Sequence, residues 1–330
     1  MRYRNIWVEA EVCGIAQVAE NVMEIKLQPQ VGTVPFSVGS HIDVMVPINE
    51  VMEVRSYSLV GEYTPNTPYT IAVKKLPSSR GGSSYMWMLE QGNRIKISHP
   101  TNNFELAYNS KNYLLVAGGI GITPLVGIAE VLAKDPSNKV QMFYIGKNET
   151  DMPYLERLKN CLDSRLTIHF SESMGTCDTQ EIIKLAGEDT LLYLCGPLPL
   201  MNAVRKNWEQ SEWPNTHIRF ETFGASGKMA PQAFKVIIPR YNLEILVDEN
   251  DTLFNALEHV GIPMMSDCLK GECGLCMVDI LEHSGIIDHR DFFLSDDQKE
   301  ENHKFCSCVS RVANGAITIE VPYQGETISK

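Results

Sequence analysis

The chain has 330 residues, of which 44% are hydrophobic and 21% charged, so it is long enough for two or three domains that each bury their own core. Its net charge of −12, without any Lys/Arg cluster, argues against nucleic acid and anionic membrane as partners; the acidic surface either meets a basic patch on another protein or only maintains solubility. The N-terminal residues lack the apolar stretch of a signal peptide and no run approaches the roughly 20 apolar residues that span a bilayer, so we expect a cytoplasmic protein without membrane contact.

Residues 1–107 are predicted to form an antiparallel β-barrel. Short runs of β-forming residues recur there between Gly, Pro and Asn, a spacing typical of closed all-β folds. One short helix is predicted in this segment, at Tyr85–Leu89. The predicted strands are Val8–Val12, Val22–Leu27, His41–Val46, Arg55–Val60, Tyr69–Lys74 and Arg94–Ser98.

Residues 108–225 are predicted to form an α/β domain with a parallel sheet, because short apolar runs alternate there with helical patterns. The predicted strands are Tyr113–Ala117, Val140–Ile145, Leu166–Phe170, Leu191–Leu194 and Ile218–Phe220. The predicted helices are Pro124–Lys134, Pro153–Cys161, Thr179–Leu185 and Pro199–Glu209.

A third domain is predicted at residues 234–330, after a linker of small residues at 226–233. Its predicted elements are a hairpin of Phe234–Ile238 and Leu243–Val247, a helix at Thr252–Val260 and a closing strand at Ala316–Val321. The chain is therefore expected to be multidomain.

Five of the nine cysteines crowd into the last fifth of the chain, which indicates a metal site rather than a disulfide framework. Cys268, Cys273 and Cys276 have the C-x4-C-x2-C spacing of a plant-type [2Fe–2S] loop, which delivers three thiolates to two irons. Gly271 and Gly274 would let the loop backbone approach the cluster closely.

A structural zinc site is the alternative interpretation of these cysteines. Zinc loops usually pair C-x2-C with a second such pair or with two histidines, and Cys306-Ser-Cys308 does not suit that pattern. The spacing leaves two candidates for the fourth iron ligand, Cys306 and Cys308.

The segment Gly118-Gly-Ile-Gly-Ile-Thr-Pro124 joins a predicted strand to a predicted helix. Thr123 is predicted to cap that helix, and the loop amides would face a pyrophosphate. Because the third glycine of the dinucleotide fingerprint is missing, a structural turn is the alternative. Lys147 stands where an acidic residue often ends the next strand, and it could favour the 2′-phosphate of NADPH.

Cys195-Gly196-Pro197 ends another predicted parallel strand. Open α/β sheets bind ligands at that edge, and a small, polarizable thiol can lie against a nicotinamide. A buried cysteine with no role beyond packing is the alternative.

Two weaker motifs in the barrel segment indicate a flavin. Arg55-Ser56-Tyr57-Ser58 combines a guanidinium for a phosphate, a ring that can stack on an isoalloxazine and hydroxyls for its edge. Lys74, with Val73 beside it, and Arg80-Gly81-Gly82-Ser83 add charge, amides and a hydroxyl, and Ser83 and Ser84 are predicted to cap the short helix. The alternative is a surface arginine and a solvated glycine turn.

These motifs follow one order along nearly all of the chain: Arg-x-Tyr-Ser, Arg-Gly-Gly-Ser, Gly-Gly-x-Gly-x-Thr-Pro, Cys-Gly-Pro, C-x4-C-x2-C and Cys-Val-Ser-Arg. The order resembles the phthalate dioxygenase reductase family, within the wider ferredoxin–NADP reductase superfamily. The resemblance implies a flavin barrel, an α/β nucleotide domain and an α+β ferredoxin domain of the β-grasp type. It also implies FMN, NADH and a [2Fe–2S] cluster as cofactors, with NADPH as an alternative to NADH.

The resemblance carries functional residues over to matching positions. It implies that Ser58 and Cys195 position the reacting groups and that Phe223 lies near the flavin. The interval from Cys276 to Cys308 is longer than the family pattern suggests, which keeps Cys306 as an alternative. The implied sets are Arg55, Ser56, Tyr57, Ser58, Val73, Lys74, Arg80, Gly81, Gly82 and Ser83 for FMN; Gly119, Gly121, Thr123, Cys195, Gly196 and Pro197 for the nicotinamide nucleotide; and Cys268, Cys273, Cys276 and Cys308 for the cluster.

The family implies an NAD(P)H-dependent oxidoreductase, namely the reductase component of a two-component Rieske-type oxygenase or demethylase such as those of aromatic catabolism. The chain lacks the paired Cys-x-His and Cys-x-x-His motifs of a Rieske centre, so the terminal oxygenase is expected to be a separate protein. Alternatives are a reductase for a haem or diiron monooxygenase and a non-enzymatic flavin/iron–sulfur redox sensor.

Overall fold

The computed structural model describes residues 6–48, 51–76, 81–223, 229, 232–249 and 251–322. Contacts divide the chain into two units, one ending at Glu221 and one beginning at Thr222. Among the described residues, none of the helices combines the length and the apolar character that crossing a membrane requires.

The first sheet of the first unit has six antiparallel strands in the order β4-β3-β6-β1-β2-β5. Leu59, directly after β4, bridges Ile71 in β5, so the sheet curls until its two edge strands meet. This confirms the predicted antiparallel barrel. The strands are β1 (Trp7–Ala19), β2 (Val22–Pro29), β3 (His41–Ile48), β4 (Val51–Ser58), β5 (Tyr69–Lys74) and β6 (Arg94–Ser98).

The short helix of the barrel, α1 (Gly82–Trp87), begins earlier than predicted. Gly81 is its N-cap, with a φ of 102° that favours glycine, and a Cβ there would lie 2.9 Å from Ile48. Ser83 and Ser84 lie inside the first turn, so the prediction that they cap the helix is wrong.

The second sheet of the first unit is parallel, as predicted, with the order β11-β10-β7-β8-β9. The chain runs from β7 through β8 to β9 and then crosses to β10 on the other side of β7. The topological switch point therefore lies between β7 and β10. The elements are β7 (Asn112–Gly118), α2 (Thr123–Lys134), β8 (Lys139–Gly146), α3 (Leu155–Leu162), β9 (Leu166–Phe170), α4 (Ser171–Met174), α5 (Thr179–Ile183), β10 (Thr190–Cys195), α6 (Leu198–Glu209) and β11 (Ile218–Glu221).

The barrel and the parallel sheet share one hydrophobic core. Val38 and Val60 of the barrel belong to the same buried cluster as Leu125 and Val126 of α2. Gly127 makes this approach possible, because a Cβ there would lie 2.7 Å from the carbonyl oxygen of Gly61.

The second unit contains a five-stranded mixed sheet in the order β13-β12-β18-β14-β16, beside a two-stranded pair of β15 and β17. The predicted hairpin, helix and closing strand are present. The sequence did not predict β14 to β17 or α8, because most of these elements have only three residues or carry many charges. The elements are β12 (Phe234–Ile238), β13 (Leu243–Val247), α7 (Leu253–His259), β14 (Met277–His283), β15 (Ile286–Asp288), α8 (Asp296–Glu301), β16 (Lys304–Cys306), β17 (Arg311–Ala313) and β18 (Ala316–Glu320).

Arg311 in β17 fastens several segments of this unit. Its guanidinium is buried and donates to the carbonyl oxygens of Gln232 at 3.0 Å and Asp248 at 2.6 Å, and to that of Asp251. It also lies 5.2 Å from the ring centroid of Phe234. One side chain therefore satisfies carbonyl groups in the segments that flank the hairpin.

We expect Arg311→Met to lower the free energy of unfolding of the second unit by about 3 kcal/mol, because it leaves buried carbonyl groups without donors. Chemical denaturation followed by near-UV circular dichroism measures this. The matched control is Lys235→Met, which removes an ion pair with Glu244 whose two side chains are 51% and 57% exposed and should cost less than about 0.5 kcal/mol. Equal losses in the two variants would contradict the role of Arg311.

Candidate functional site

Two predicted motifs meet at the topological switch point of the parallel sheet. Strands β7 and β10 are neighbours, with Ala117 registered opposite Cys195. A Cβ at Gly121 would lie 2.3 Å from the Cys195 carbonyl oxygen, and one at Gly118 would lie 2.6 Å from Pro197. The glycine loop and Cys195-Gly196-Pro197 thus pack backbone to backbone at the edge where open α/β sheets bind ligands.

Gly119 differs from its neighbours because its α-carbon faces open space. It has a φ of 52°, and no atom lies within 4 Å of a Cβ built there. The Tyr144 hydroxyl supports the loop from behind, 3.4 Å from the Gly119 carbonyl oxygen. Thr123 is the first residue of α2 rather than its N-cap, and its hydroxyl donates to the Ile120 carbonyl, so the capping prediction is wrong.

Glu221 is a site residue to which sequence reasoning assigned no role. It is registered opposite Cys195 at the end of β11, and its carboxylate accepts a hydrogen bond of 3.1 Å from the Ser58 hydroxyl. Both side chains are buried. Its position directly after the predicted strand Ile218–Phe220 was the available signal. Glu221 therefore contacts Ser58 of the barrel and is paired with Cys195 of the parallel sheet, so these two residues lie close to the same side chain.

The two flavin motifs also meet. Strand alternation places Arg55 and Tyr57 on one face of β4, and the Arg55 side chain crosses Gly82 so closely that a Cβ there would lie 2.9 Å from Nε. Arg55 donates to Glu53 at 2.6 Å. Burial raises the pKa of Tyr57 to about 12 although Arg55 opposes this, so its phenol stays neutral and offers an apolar ring.

Several other predicted flavin residues point elsewhere. The Ser56 hydroxyl donates to Asp43 at 2.6 Å, on the opposite face of β4 from Arg55 and Tyr57. Lys74 donates to both oxygens of Asp151, at 2.9 and 3.1 Å. Val73 is buried in the barrel core, and Arg80 lies outside the described residues.

Beyond the switch point, charged side chains follow the carboxyl ends of β8 and β9. Lys147 lies 3.7 Å from the Glu172 carboxylate, which also accepts a hydrogen bond of 2.8 Å from the Asn148 amide. The Asn148 amide, together with Lys147, lowers the pKa of Glu172. No acidic residue stands at the end of β8 in the sequence. Glu172 instead follows β9.

In the second unit, the cysteine loop directs backbone amides at one sulfur. The N–H groups of Lys270, Glu272 and Cys273 lie 3.4, 3.3 and 3.4 Å from Cys268 Sγ. Burial still raises the pKa of the Cys268 thiol to about 11. A bound metal would oppose this effect, because its positive charge favours the thiolate.

The distant cysteines close around the same loop. Cys276 and Cys308 are buried with their sulfurs 3.1 Å apart, and Cys308 accepts a hydrogen bond from the backbone of Gly271. Cys306 is also buried, and hydrogen bonds from Cys306 and Cys308 lower the pKa of Cys276 to about 3. Both candidates for the fourth ligand thus reach Cys276, and Cys308 additionally contacts the loop itself.

The contacts among the cysteines suit a two-iron cluster. In a [2Fe–2S] cluster each iron takes only two protein thiolates. The thiol contacts pair Cys268 with Cys273 and Cys276 with Cys308, which suits that division.

Glycines keep the cysteine loop tight. Gly271 and Gly274 have φ values of 77° and 71°, and a Cβ would lie 2.7 Å from Val309 or 2.6 Å from Phe293, respectively. The predicted need for glycine in the loop thus has a physical basis. Phe223 lies in the second unit with its ring 37% exposed, and its predicted place beside the flavin stays a prediction.

Two family models match the chain. An oxidoreductase NAD-binding domain matches residues 115–206, which include the glycine loop and Cys195. A 2Fe-2S iron–sulfur cluster binding domain matches residues 236–313, which include the cysteine loop and Cys308. The chain is therefore an NAD(P)H-dependent oxidoreductase with a [2Fe–2S] cluster.

The similarity to known proteins covers nearly the whole length of this chain. The toluene-4-sulfonate monooxygenase system reductase subunit TsaB1 of Comamonas testosteroni is 30% identical, over 95% of this chain and 99% of that protein. The structure of an intact type IV self-sufficient cytochrome P450 monooxygenase aligns with 95% of this chain and 41% of its own, at 28% identity and a TM-score of 0.67. The structure of phthalate dioxygenase reductase aligns with 96% of this chain and 98% of its own, at 28% identity and a TM-score of 0.76. The sequence, the fold and these comparisons together establish that the chain belongs to the phthalate dioxygenase reductase family.

Proposed function

We propose that this chain is the reductase component of a two-component Rieske-type oxygenase or demethylase and passes electrons from NADH through FMN to its [2Fe–2S] cluster and then to the oxygenase. The observation that carries the proposal is the junction of Ser58, Glu221 and Cys195, which joins the flavin strand β4 to the switch point of the nucleotide sheet. A hydride donor and its acceptor have to meet in such a place.

When bound, FMN accepts a two-electron hydride and releases single electrons, which a one-electron cluster requires. The chain supplies position rather than acid or base chemistry. The open backbone of Gly119 and the start of α2 receive the nucleotide pyrophosphate, while Gly121 gives the loop its close approach to Cys195. Cys195 and Ser58 flank the place where nicotinamide and flavin meet.

We assign Arg55, Gly81, Gly82 and Ser83 to the FMN phosphate and Tyr57 and Ser58 to the isoalloxazine. The contact of Arg55 with Gly82 supports the first group, because it brings a guanidinium to backbone amides. The neutral, half-buried ring of Tyr57 supports the second. We propose that Ser56 and Val73 contact FMN only through their backbone N–H or C=O groups, because the Ser56 hydroxyl is bonded to Asp43. Lys74 pairs with Asp151.

The relatives indicate the partner. TsaB1 is named a reductase subunit of a monooxygenase system, and a vanillate O-demethylase oxidoreductase of Pseudomonas is also similar. We therefore propose a separate terminal oxygenase as the electron acceptor of this chain, in the cytoplasm. We propose domain limits of 1–107, 108–225 and 234–330, with a linker at 226–233; the division by contacts after Glu221 lies close to the second of these limits.

A reductase for a haem monooxygenase is a second candidate function. The similarity to a self-sufficient cytochrome P450 favours it, because an equivalent of this chain forms part of that protein. Electron delivery to purified Rieske and haem oxygenases, measured side by side, distinguishes the two.

The hydride junction is tested through Ser58. In anaerobic stopped-flow measurements we expect NADH to bleach the flavin of the wild-type protein, followed by the EPR signal of the reduced cluster. Ser58→Ala should slow flavin reduction about 10- to 100-fold, because it releases the contact that aligns β4 with Glu221. Ser56→Ala, whose hydroxyl faces away, is the control, and equal rates in the two variants would refute the proposed junction.

The cluster ligands are tested through the two neighbouring cysteines. We expect Cys308→Ala to bind flavin but to lose the iron, the inorganic sulfide and the visible absorbance of the cluster. Cys306→Ala should keep the cluster, because Cys308, which accepts a hydrogen bond from Gly271 of the cysteine loop, is the proposed fourth ligand. Iron content and EPR of the reduced proteins decide. The reverse pattern would make Cys306 the ligand.

We propose NADH as the preferred donor, because Glu172 would repel a 2′-phosphate and pairs with the lysine that could otherwise bind it. Glu172→Ala should raise kcat/KM for NADPH relative to NADH about tenfold, the effect of one charge-assisted contact. Adding Lys147→Met should abolish the gain. An unchanged preference in Glu172→Ala would show that these residues do not contact the ribose.

A further inference from the structure

Thr222, the first residue of the second unit, is tied to the cysteine loop by its backbone and its side chain. Its N–H and its hydroxyl both donate to the same carboxylate oxygen of Glu272, at 2.5 and 2.7 Å. The hydroxyl also lies 3.1 Å from the carbonyl oxygen of Lys270. Thr222 is 3% exposed, so water competes little for these bonds.

Lys270 and Glu272 have a second connection inside the loop. Their backbone N–H groups lie 3.4 and 3.3 Å from Cys268 Sγ. Thr222 therefore holds, from outside the loop, two of the residues whose amides point at the sulfur. Thr222 restrains the Lys270 carbonyl and the Glu272 side chain, so displacement of either residue away from Cys268 would strain a bond to Thr222.

We propose that Thr222 is a positioning residue for the cluster, which fixes these two amides toward Cys268 and thereby raises the reduction potential. The inference rests on the proposed function and on the predicted ligation of its [2Fe–2S] cluster by Cys268. Amide dipoles aimed at a ligand sulfur stabilise the reduced form, because that form carries one more negative charge. Looser amides stabilise it less.

Glu272 adds an effect of opposite sign. Its carboxylate anchors Thr222, but its negative charge next to Cys273 disfavours the added electron. Removing the hydroxyl of Thr222 and removing the charge of Glu272 should therefore move the potential in opposite directions. A general loosening of the loop would move both variants the same way.

The test uses the full-length holoprotein with flavin and cluster bound. Thr222→Val is nearly isosteric and removes only the hydroxyl, Thr222→Ser is the matched control that keeps it, and Glu272→Gln keeps an acceptor oxygen without the charge. The cluster midpoint potential is measured by EPR-monitored redox titration. We expect a more negative midpoint in Thr222→Val, a wild-type midpoint in Thr222→Ser and a more positive midpoint in Glu272→Gln.

An unshifted midpoint in Thr222→Val, or shifts of the same sign in Thr222→Val and Glu272→Gln, would overturn the inference. Partial cluster loading does not obscure the result, because EPR reports only assembled clusters. The proposed function is read separately from flavin reduction by NADH and from the presence of the cluster signal. Loss of either signal in the wild-type protein contradicts the function, whereas an unshifted potential in a loaded protein contradicts only the role of Thr222.

Discussion

The hydrogen bond between the Ser58 hydroxyl and the Glu221 carboxylate is the contact on which the proposed flavin–nucleotide junction depends. Both groups are buried, and a buried carboxylate that loses such a partner costs roughly 1–3 kcal/mol. Because β11 holds Glu221 in register with Cys195, this bond relates three strands at once. Hydride transfer requires reacting atoms about 3–3.5 Å apart, and for that reason we propose that this contact between the two sheets controls the rate of flavin reduction.

In the second unit the corresponding constraint is the tight backbone of the cysteine loop. Left-handed conformations at Gly271 and Gly274 let the loop curl, and the curl turns peptide N–H groups toward Cys268. Burial raises the pKa of that thiol, whereas the directed amides lower it. The positive charge of bound irons would act in the same direction as the amides and favour the thiolate.

Local sequence signals predicted much of this protein. Strands such as Tyr69–Lys74 and Phe234–Ile238 follow from runs of β-forming residues between turn residues, and glycine and cysteine spacings predicted the nucleotide and cluster loops. The predicted flavin residues do not all come together, because strand alternation separates the side chain of Ser56 from that of Arg55 and Lys74 pairs with the distant Asp151.

The contacts that the sequence did not reveal join distant parts of the chain. Ser58 and Glu221 are 163 residues apart, and Thr222 and Glu272 are 50 apart. Such pairs depend on the register and packing of the sheets, which local sequence patterns do not determine. The short strands of the second unit were not predicted for a related reason. Pairing with a neighbouring strand, rather than amino-acid composition, determines that these segments are strands.

The core shared by the barrel and the parallel sheet limits how this polypeptide can be divided or recombined. Separating the chain near residue 107 would remove Val38 and Val60 from their contacts with α2. Each of the two fragments would then expose hydrophobic surface. A cut after Glu221 severs no strand of either sheet. The barrel and the parallel sheet should therefore be kept together as one unit in gene fusions and in engineered variants.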